Sequence, residues 1–297
     1  MTSQLGKAPR QLPVIRACSI PRIEMAEELD FQYDPEKNYD EETLAQQKEI
    51  EREIVDTQQL VGERVSFDRL IREYAQEDEI YREKIEHLKN LYSCVRKTRG
   101  DGNCFYRAFG FAYLEKLLVD RTDVERFKDV VSKSLKVLVG LGFPQFTIED
   151  FHETFLDIVN KVTNHCTHQE LIDTFNDQGL SDYIVVYLRL IVSGHLQQEA
   201  EFFANFIEGD RTVKEFCNQE VEPMGKESDH IHLKALTDAL GVCIRVEYMD
   251  RVDTHTCNHI NFPEDSKPTI VLLYRPGHYD ILYSNADMIL FQRNLPK

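Results

Sequence analysis

The stretch Asp101–Phe109, which reads DGNCFYRAF, joins a tight polar turn directly to an apolar segment. Apolar residues recur with helical spacing over Phe105–Leu118, so a helix is predicted there. Cys104 stands at the start of this helix, where unpaired backbone N–H groups and the positive end of the helix dipole favour a thiolate. Gly102 allows backbone angles that other residues resist, so the N–H groups of the loop can converge on one point and hold an oxyanion. The stretch therefore predicts a nucleophile with its oxyanion loop.

A nucleophilic thiol needs a base, and His278 is the best placed of the ten histidines. It follows the turn Arg275–Gly277 and opens a predicted strand. Asp280 lies two residues further on, so it points to the same face of the strand and could hold the second imidazole nitrogen. The predicted set is Cys104 as nucleophile, His278 as base and then acid, and Asp280 as the residue that orients the histidine. Taken alone, His278 fits a polar turn residue better, so both interpretations stay open.

Composition restricts the class of protein. The 297 residues are 42% hydrophobic and 29% charged, which is typical of a globular protein with one large domain or two small ones. No apolar run approaches the ~18 residues that a membrane span needs. The net charge of −17 argues against nucleic acid as the main partner, because phosphate binding needs a basic surface. We therefore expect neither a membrane nor a nucleic-acid partner.

The seven cysteines are scattered and form no C-x-x-C pair. They are Cys18, Cys94, Cys104, Cys166, Cys217, Cys243 and Cys257. No secretory signal with an apolar centre precedes them, so we expect reduced thiols and a cytoplasmic location, with a nuclear one as the alternative.

Two groups of nitrogen and sulfur side chains could in principle bind zinc. They are His255, Cys257 and His259, and His165, Cys166 and His168. Neither group has a fourth ligand at a typical spacing, so surface loops are the favoured interpretation and no metal or cofactor is expected. His230 and His232 lie at a predicted helix start, either as surface residues or as part of a substrate cleft.

The first 62 residues divide into two parts. Residues 1–39 are predicted to be a disordered tail, since their first part is basic and interrupted by prolines. Asp40–Val61 reads as an amphipathic helix with an acidic face and Asp40 as its N-cap. This helix either packs on its own domain or forms an arm, residues 40–62, that offers an apolar stripe to a partner.

The remainder of the chain is mostly helical up to about residue 240 and then rich in strands. A buried helix is predicted over residues 183–192, capped by Ser181-Asp182. Strands are predicted at 242–248, 269–274 and 279–283, and the short segment 92–95 is a further candidate strand. Residues 286–297 are expected to be a tail. The order indicates an α+β fold, with a small sheet packed among many helices.

A basic run precedes the opening stretch, at Arg96, Lys97 and Arg99. We interpret it as a solvated loop whose charges lie close enough to add to the electrostatic field at Cys104.

Two motifs, residues 101–109 and residues 274–280, together resemble the otubain subfamily of the ovarian-tumour (OTU) deubiquitinating cysteine proteases. Further matching motifs extend the resemblance from about residue 40 to about residue 284; they include FTIEDF at 146–151, SDYIVVYLRL at 181–190 and ESDHIH at 227–232. The resemblance implies a papain-like OTU fold with a mostly antiparallel sheet, and a catalytic domain over residues 63–285.

The resemblance also implies the reaction, which is hydrolysis of the isopeptide bond between ubiquitin units through an acyl-enzyme, without a metal or cofactor. Carried over by position, Cys104 attacks the carbonyl, His278 handles the proton, Asp280 orients the histidine and Asp101 supports the oxyanion loop. Otubain-like enzymes favour chains joined through lysine forty-eight of ubiquitin, and their helical arm contacts the second ubiquitin. The implied partners are ubiquitin, polyubiquitin and ubiquitin-conjugating enzymes. The alternative function is a non-catalytic binder and inhibitor of ubiquitin-charged conjugating enzymes.

Overall fold

The computed structural model describes residues 46, 49, 52–55, 57–76, 78–252 and 254–295. The predicted tail over residues 1–39 and the predicted cap at Asp40 lie outside these residues. In the predicted arm, residues 46, 49, 52–55 and 57 are helical. The helix does not reach residue 61 as predicted, because Val61 already begins the first strand of the sheet.

After the helical residues of the arm, eleven α-helices follow within the described residues. They are α1 (Phe67–Leu70), α2 (Glu79–Leu91), α3 (Cys104–Val119), α4 (Val124–Gly140), α5 (Gln145–Thr163), α6 (His168–Asn176), α7 (Gln178–Gln198), α8 (Ala200–Phe203), α9 (Val213–Phe216), α10 (His230–Leu240) and α11 (Asn285–Asn294). A π-helical segment, Cys217–Val221, continues α9. None of the helices in this part of the chain is long and apolar enough to cross a membrane.

Six strands form a single sheet: β1 (Val61–Val65), β2 (Cys94–Thr98), β3 (Ile244–Tyr248), β4 (Asn258–Phe262), β5 (Ile270–Arg275) and β6 (His278–Tyr283). Their order is β1-β2-β6-β5-β3-β4. All neighbours are antiparallel except β3 and β5, which are parallel. The predicted α+β class with a small, mostly antiparallel sheet is confirmed. The sequence missed β1, hidden at the end of the predicted arm, and β4, whose polar residues lack the alternation of a half-buried strand.

Apolar side chains cover both faces of the sheet. On one face lies the larger core, built around α3, in which every residue except Lys116 is buried. On the other face α1 and α2 pack a smaller cluster that includes Phe67, Leu70, Ile85 and Leu88. Strand β6 lies in the interior of the sheet and contributes side chains to both clusters, so its position is fixed from two sides.

The basic run was wrongly interpreted as a solvated loop. Arg96 and Lys97 belong to β2, and the Arg96 side chain is buried against Tyr283 and the carbonyl of Gly62. Arg99 is also buried, with its guanidinium bonded to the carbonyl of Gln58. These cations are buried because the folded chain supplies backbone and side-chain oxygens that replace water.

The predicted tail over residues 286–297 is also wrong, because most of it forms α11. Ser284 and Asp287 cap this helix reciprocally, and Phe291 is buried against Tyr283. The S-x-x-D pattern and the apolar residues after it were the overlooked signals. The predicted cap of α7 is likewise corrected, since Asp177 and not Ser181 accepts from the first turn.

Burial of Phe291 predicts that α11 contributes to stability. We expect Phe291→Ala to lower the free energy of unfolding by about 3 kcal/mol, since the ring leaves a cavity at the edge of the core. Ile289→Ala on the same helix is the control, because Ile289 is 50% exposed and its loss should cost less than about 0.5 kcal/mol. Urea unfolding of both variants measures the difference, and equal midpoints would show that α11 does not belong to the cooperative unit.

Candidate active site

The loop before α3 is shaped by a close approach of two backbones. Gly102 has φ +73°, a conformation that favours glycine. A Cβ atom placed on Gly102 would lie 2.0 Å from the carbonyl oxygen of Gly225, so a side chain cannot fit here. The glycine that the sequence singled out for its backbone freedom is therefore required twice, by its angles and by its neighbour.

Cys104 is the first residue of α3, and its side chain is 4% exposed. The N–H groups of the first helical turn have no partner within the helix, so they present partial positive charge beside the thiol. The ring of Phe105 packs against the ring of Tyr279, with 5.3 Å between centroids. This contact holds the start of α3 against β6, the strand that carries His278.

His278 and Asp280 lie on one face of β6, as predicted. His278 Nε2 is 2.9 Å from Asp280 Oδ1. The other ring nitrogen, Nδ1, lies next to Gly100. It would be 3.5 Å from a Cβ atom placed on that glycine. The structure thus brings together two chain segments that are far apart in sequence, residues 100–104 and residues 278–280.

Asp280 is fully buried, and cations surround its carboxylate. Oδ2 accepts from Arg275 Nη2 at 2.5 Å and lies 3.8 Å from Lys97 Nζ, while Oδ1 also accepts from the backbone N–H of Thr98 at 3.0 Å. Burial alone would raise the pKa of Asp280, but Arg275 and His278 outweigh it and hold the pKa well below its usual range. The carboxylate is therefore charged throughout the neutral range.

The charge on Asp280 acts in turn on His278. Burial lowers the pKa of His278, but the charge of Asp280, and after it the interaction with Cys104, raise the pKa to about 9. The imidazole is therefore protonated at neutral pH. An imidazolium beside a thiol stabilises the thiolate and can later give its proton to a leaving group.

Asp101 lies in the loop itself and holds two neighbours. Its Oδ1 accepts from the backbone N–H of Asn103 at 3.0 Å and from Arg107 Nη1 at 2.9 Å. Arg107 is fully buried and also donates to Ser181 Oγ at 3.1 Å. The structure therefore places Asp101 where it fixes the loop before Cys104.

Several residues that shape the site were missed or left without a role in the sequence. Arg275 was seen only as part of a turn, and Arg107 and Arg189 were given no role. Arg189 donates to the carbonyl of Gly102 and to Asn103 Oδ1, each at 2.9 Å. The signal that could have found Arg189 is a charged residue in the middle of the apolar run 183–192, since such a charge must be paired when buried.

Two other cysteines and two other histidines are placed for roles outside the reaction. Burial raises the pKa of the Cys217 thiol to about 11 and that of Cys257 to about 12, so both are poor nucleophiles. His168, from one of the two candidate zinc groups, bonds instead to Glu115 at 2.6 Å. His232 is buried, and its Nδ1 accepts from the N–H of Asp229 at 3.0 Å, so it caps α10 and is not a surface residue.

In the part of the chain that the structure describes, no group of three or more metal-ligating side chains converges. The six cysteines in this part are all free thiols. What the arrangement can perform is nucleophilic acyl transfer, with a thiol at a helix start, a charged histidine beside it and a carboxylate that orients the histidine.

A family model described as Peptidase C65 Otubain matches residues 53–284, which is more than three quarters of the chain. This chain belongs to the otubain family. The human protein "Ubiquitin thioesterase OTUB1" (Homo sapiens) is 58% identical over 245 residues, covering 82% of this chain and 90% of that protein. Human "Ubiquitin thioesterase OTUB2" is 41% identical over 225 residues, with 76% and 95% covered.

A solved complex, "The structure of h/ceOTUB1-ubiquitin aldehyde-UBCH5B~Ub", superposes with a TM-score of 0.78 at 38% identity. The superposition covers 83% of this chain and 98% of the other. The otubain resemblance and the OTU-type fold that followed from the sequence are thereby confirmed.

The ion pair within this site predicts a pH dependence that can be observed directly. In this otubain-family chain, the His278 imidazole should titrate with a midpoint near pH 9. Asp280→Asn should lower this midpoint, because the largest charge that raises the pKa of His278 is gone and the burial that lowers it remains. NMR of ¹³C-labelled histidine measures both midpoints.

Asp238→Asn is the matched control for this titration. Asp238 lies 3.9 Å from His195, so the substitution should leave the midpoint of His278 in place. A wild-type midpoint near the ordinary histidine value of about 6.5 would contradict the description of the ion pair.

Proposed function

We propose that the protein hydrolyses the isopeptide bond between ubiquitin units, through an acyl-enzyme on Cys104 and with preference for chains linked through lysine forty-eight of ubiquitin. The coarser assignment stands on the family: the protein is a cysteine-type deubiquitinating peptidase. The single observation that carries the mechanism is the hydrogen bond between His278 and the buried, charged Asp280. Both residues lie on β6, beside the start of the helix that carries Cys104. We also propose a cytoplasmic or nuclear location, since a thiol nucleophile is best maintained in a reducing compartment.

In the proposed mechanism the Cys104 thiolate attacks the carbonyl carbon of the terminal glycine of ubiquitin. The negative charge that develops on the carbonyl oxygen is stabilised by N–H groups of the loop and of the first turn of α3. His278 then gives its proton to the lysine amine, which leaves, and it afterwards takes a proton from the water that hydrolyses the thioester. Asp280 keeps the imidazole oriented, and Asp101 holds the loop through Asn103 and Arg107.

The proposed linkage preference depends on the N-terminal arm. Val55 is 52% exposed, so the helical residues before β1 retain free apolar surface. The arm is tied to the site at its C-terminal end, where Arg99 donates to the carbonyls of Val55 and Gln58. Arg99 lies two residues before Asp101, so a ubiquitin on the arm would be held near the thiol. Two joined binding sites select the linkage that lets both ubiquitins bind at once.

Catalysis is tested with a panel of di-ubiquitins. Wild type should cleave the lysine-forty-eight dimer fastest, and Cys104→Ser should lower the rate by at least about 10³-fold, since the nucleophile is lost. Cys243→Ser is the control, because Cys243 is a half-buried thiol away from the loop and should leave the rate unchanged. Wild type that binds ubiquitin and cleaves no linkage would refute the enzymatic function.

The arm is tested by removing residues 1–50, which leaves β1 and the contacts of Arg99 intact. We expect cleavage of the lysine-forty-eight dimer to fall about 10²-fold, because the second binding site is lost. Hydrolysis of a single ubiquitin with a small C-terminal amide should keep its wild-type rate, since that substrate does not reach the arm. Val55→Asp in the full chain should act in the same direction, and an unchanged linkage preference in both variants would refute this role of the arm.

A second candidate function is binding and inhibition of ubiquitin-charged conjugating enzymes. The observation that favours it is the structural similarity to complexes named for OTUB1 with UBCH5B~Ub and with UBC13~Ub. The two functions are compatible on one chain. Cys104→Ala distinguishes them. If inhibition results from binding alone, this variant should slow ubiquitin transfer by a conjugating enzyme as much as wild type does.

A further inference from the structure

Arg189 is a buried cation whose guanidinium joins two loops at the active site. It lies in the middle of α7 and is fully buried. Nη2 donates to the carbonyl of Gly102 and to Asn103 Oδ1, each at 2.9 Å, and to the carbonyl of Lys226 at 2.7 Å. Nη1 donates to the carbonyl of Val221 at 2.9 Å. Two of these acceptors lie in the nucleophile loop. The other two lie in residues 221–226, a segment that begins at the last residue of the π-helical segment.

The peptide group between Gly102 and Asn103 is held from both ends. Its carbonyl accepts from Arg189, while its N–H donates to Asp101 Oδ1 at 3.0 Å. A peptide plane whose C=O and N–H groups are both hydrogen-bonded cannot rotate without breaking one of the two hydrogen bonds. The direction of the next N–H group, that of Cys104, follows from this plane and from the start of α3.

The second loop closes the same arrangement. The backbone N–H of Gly225 donates to Asn103 Oδ1 at 2.9 Å, so Asn103 accepts from both Arg189 and Gly225. Gly102 and Gly225 are also in direct backbone contact. Arg189 therefore acts on the loop directly and through the segment that packs against it.

We propose that Arg189 is a positioning residue for the reaction, which locks the loop Asp101–Cys104 in the conformation that directs its N–H groups at the oxyanion. The residue type follows from the geometry, because a planar guanidinium can donate in several fixed directions and an ammonium cannot. The Tyr106 ring, whose centroid is 4.5 Å from the guanidinium carbon, holds the group from one face. This inference rests on the proposed function.

The test separates oxyanion stabilisation from the reactivity of the thiol. Alkylation of Cys104 by iodoacetamide needs a thiolate but develops no oxyanion. Hydrolysis of a C-terminal ubiquitin amide, and the binding of ubiquitin aldehyde, both place charge or a hydroxyl where the oxygen of the tetrahedral intermediate lies. A defect in the loop conformation lowers the rate of amide hydrolysis and the affinity for ubiquitin aldehyde, and it leaves the rate of alkylation unchanged.

We expect Arg189→Lys to lower kcat for the ubiquitin amide by about 10²-fold, the size of effect known for losing one oxyanion donor, with KM unchanged. The affinity for ubiquitin aldehyde should fall in parallel, while the alkylation rate stays that of wild type. Arg121→Lys is the matched control, because Arg121 also donates to two carbonyls, those of Val162 and Thr163, but far from the loop. It should leave every readout unchanged.

The possible results divide clearly. Arg189→Lys that is folded and fully active, or that loses alkylation and hydrolysis to the same degree, overturns the positioning role. If the variant unfolds at the assay temperature, Asn103→Ala carries the same test, since it removes only the acceptor shared by Arg189 and Gly225, and it should show a smaller loss of the same kind. Wild type that cleaves no ubiquitin substrate would refute the proposed function and this inference together, whereas active wild type with equally active variants refutes the inference alone.

Discussion

The candidate site depends on one buried carboxylate. Asp280 has no contact with solvent, and an isolated carboxylate in that position would take up a proton. Arg275, His278 and the N–H of Thr98 keep it charged. The charge then acts on His278, whose pKa rises from 6.5 to about 9, a preference for the imidazolium of about 3 kcal/mol. The protonated histidine beside Cys104 is thus a consequence of where Asp280 is buried.

The sheet supplies the geometry of this ion pair. Arg275 on β5 and His278 on β6 are direct partners across an antiparallel pair, so the turn between them brings the cation round to the carboxylate. Thr98 comes from β2 on the other side of β6. Three neighbouring strands therefore position the charges, and α3 delivers the thiol to the same place. The apolar packing of α3 against the sheet explains why almost all of its residues are buried.

The sequence predicted the parts of the site that depend on local pattern. The period of two along β6 was enough to place His278 and Asp280 on one face, and the polar turn before an apolar run was enough to place Cys104 at a helix start. It could not predict the partners of Arg189, because the acceptors come from loops that are distant in the chain. It misjudged Arg96 for the same reason, since a basic residue is normally solvated and becomes buried only when the fold brings oxygens to it.

The distribution of charge offers a last argument about how the site works. The chain as a whole carries a net charge of −17, yet Arg96, Arg99, Arg107 and Arg189 are buried near the sheet and the nucleophile loop. Buried charges are screened by salt much less than surface charges, so these arginines act on their neighbours more strongly than surface charges at the same distance would. Each of these arginines also donates to backbone or side-chain oxygens that hold the fold together. At the nucleophile loop, the hydrogen bonds of Arg107 to Asp101 and of Arg189 to Gly102 and Asn103 therefore fix the backbone and at the same time hold two guanidinium groups beside it.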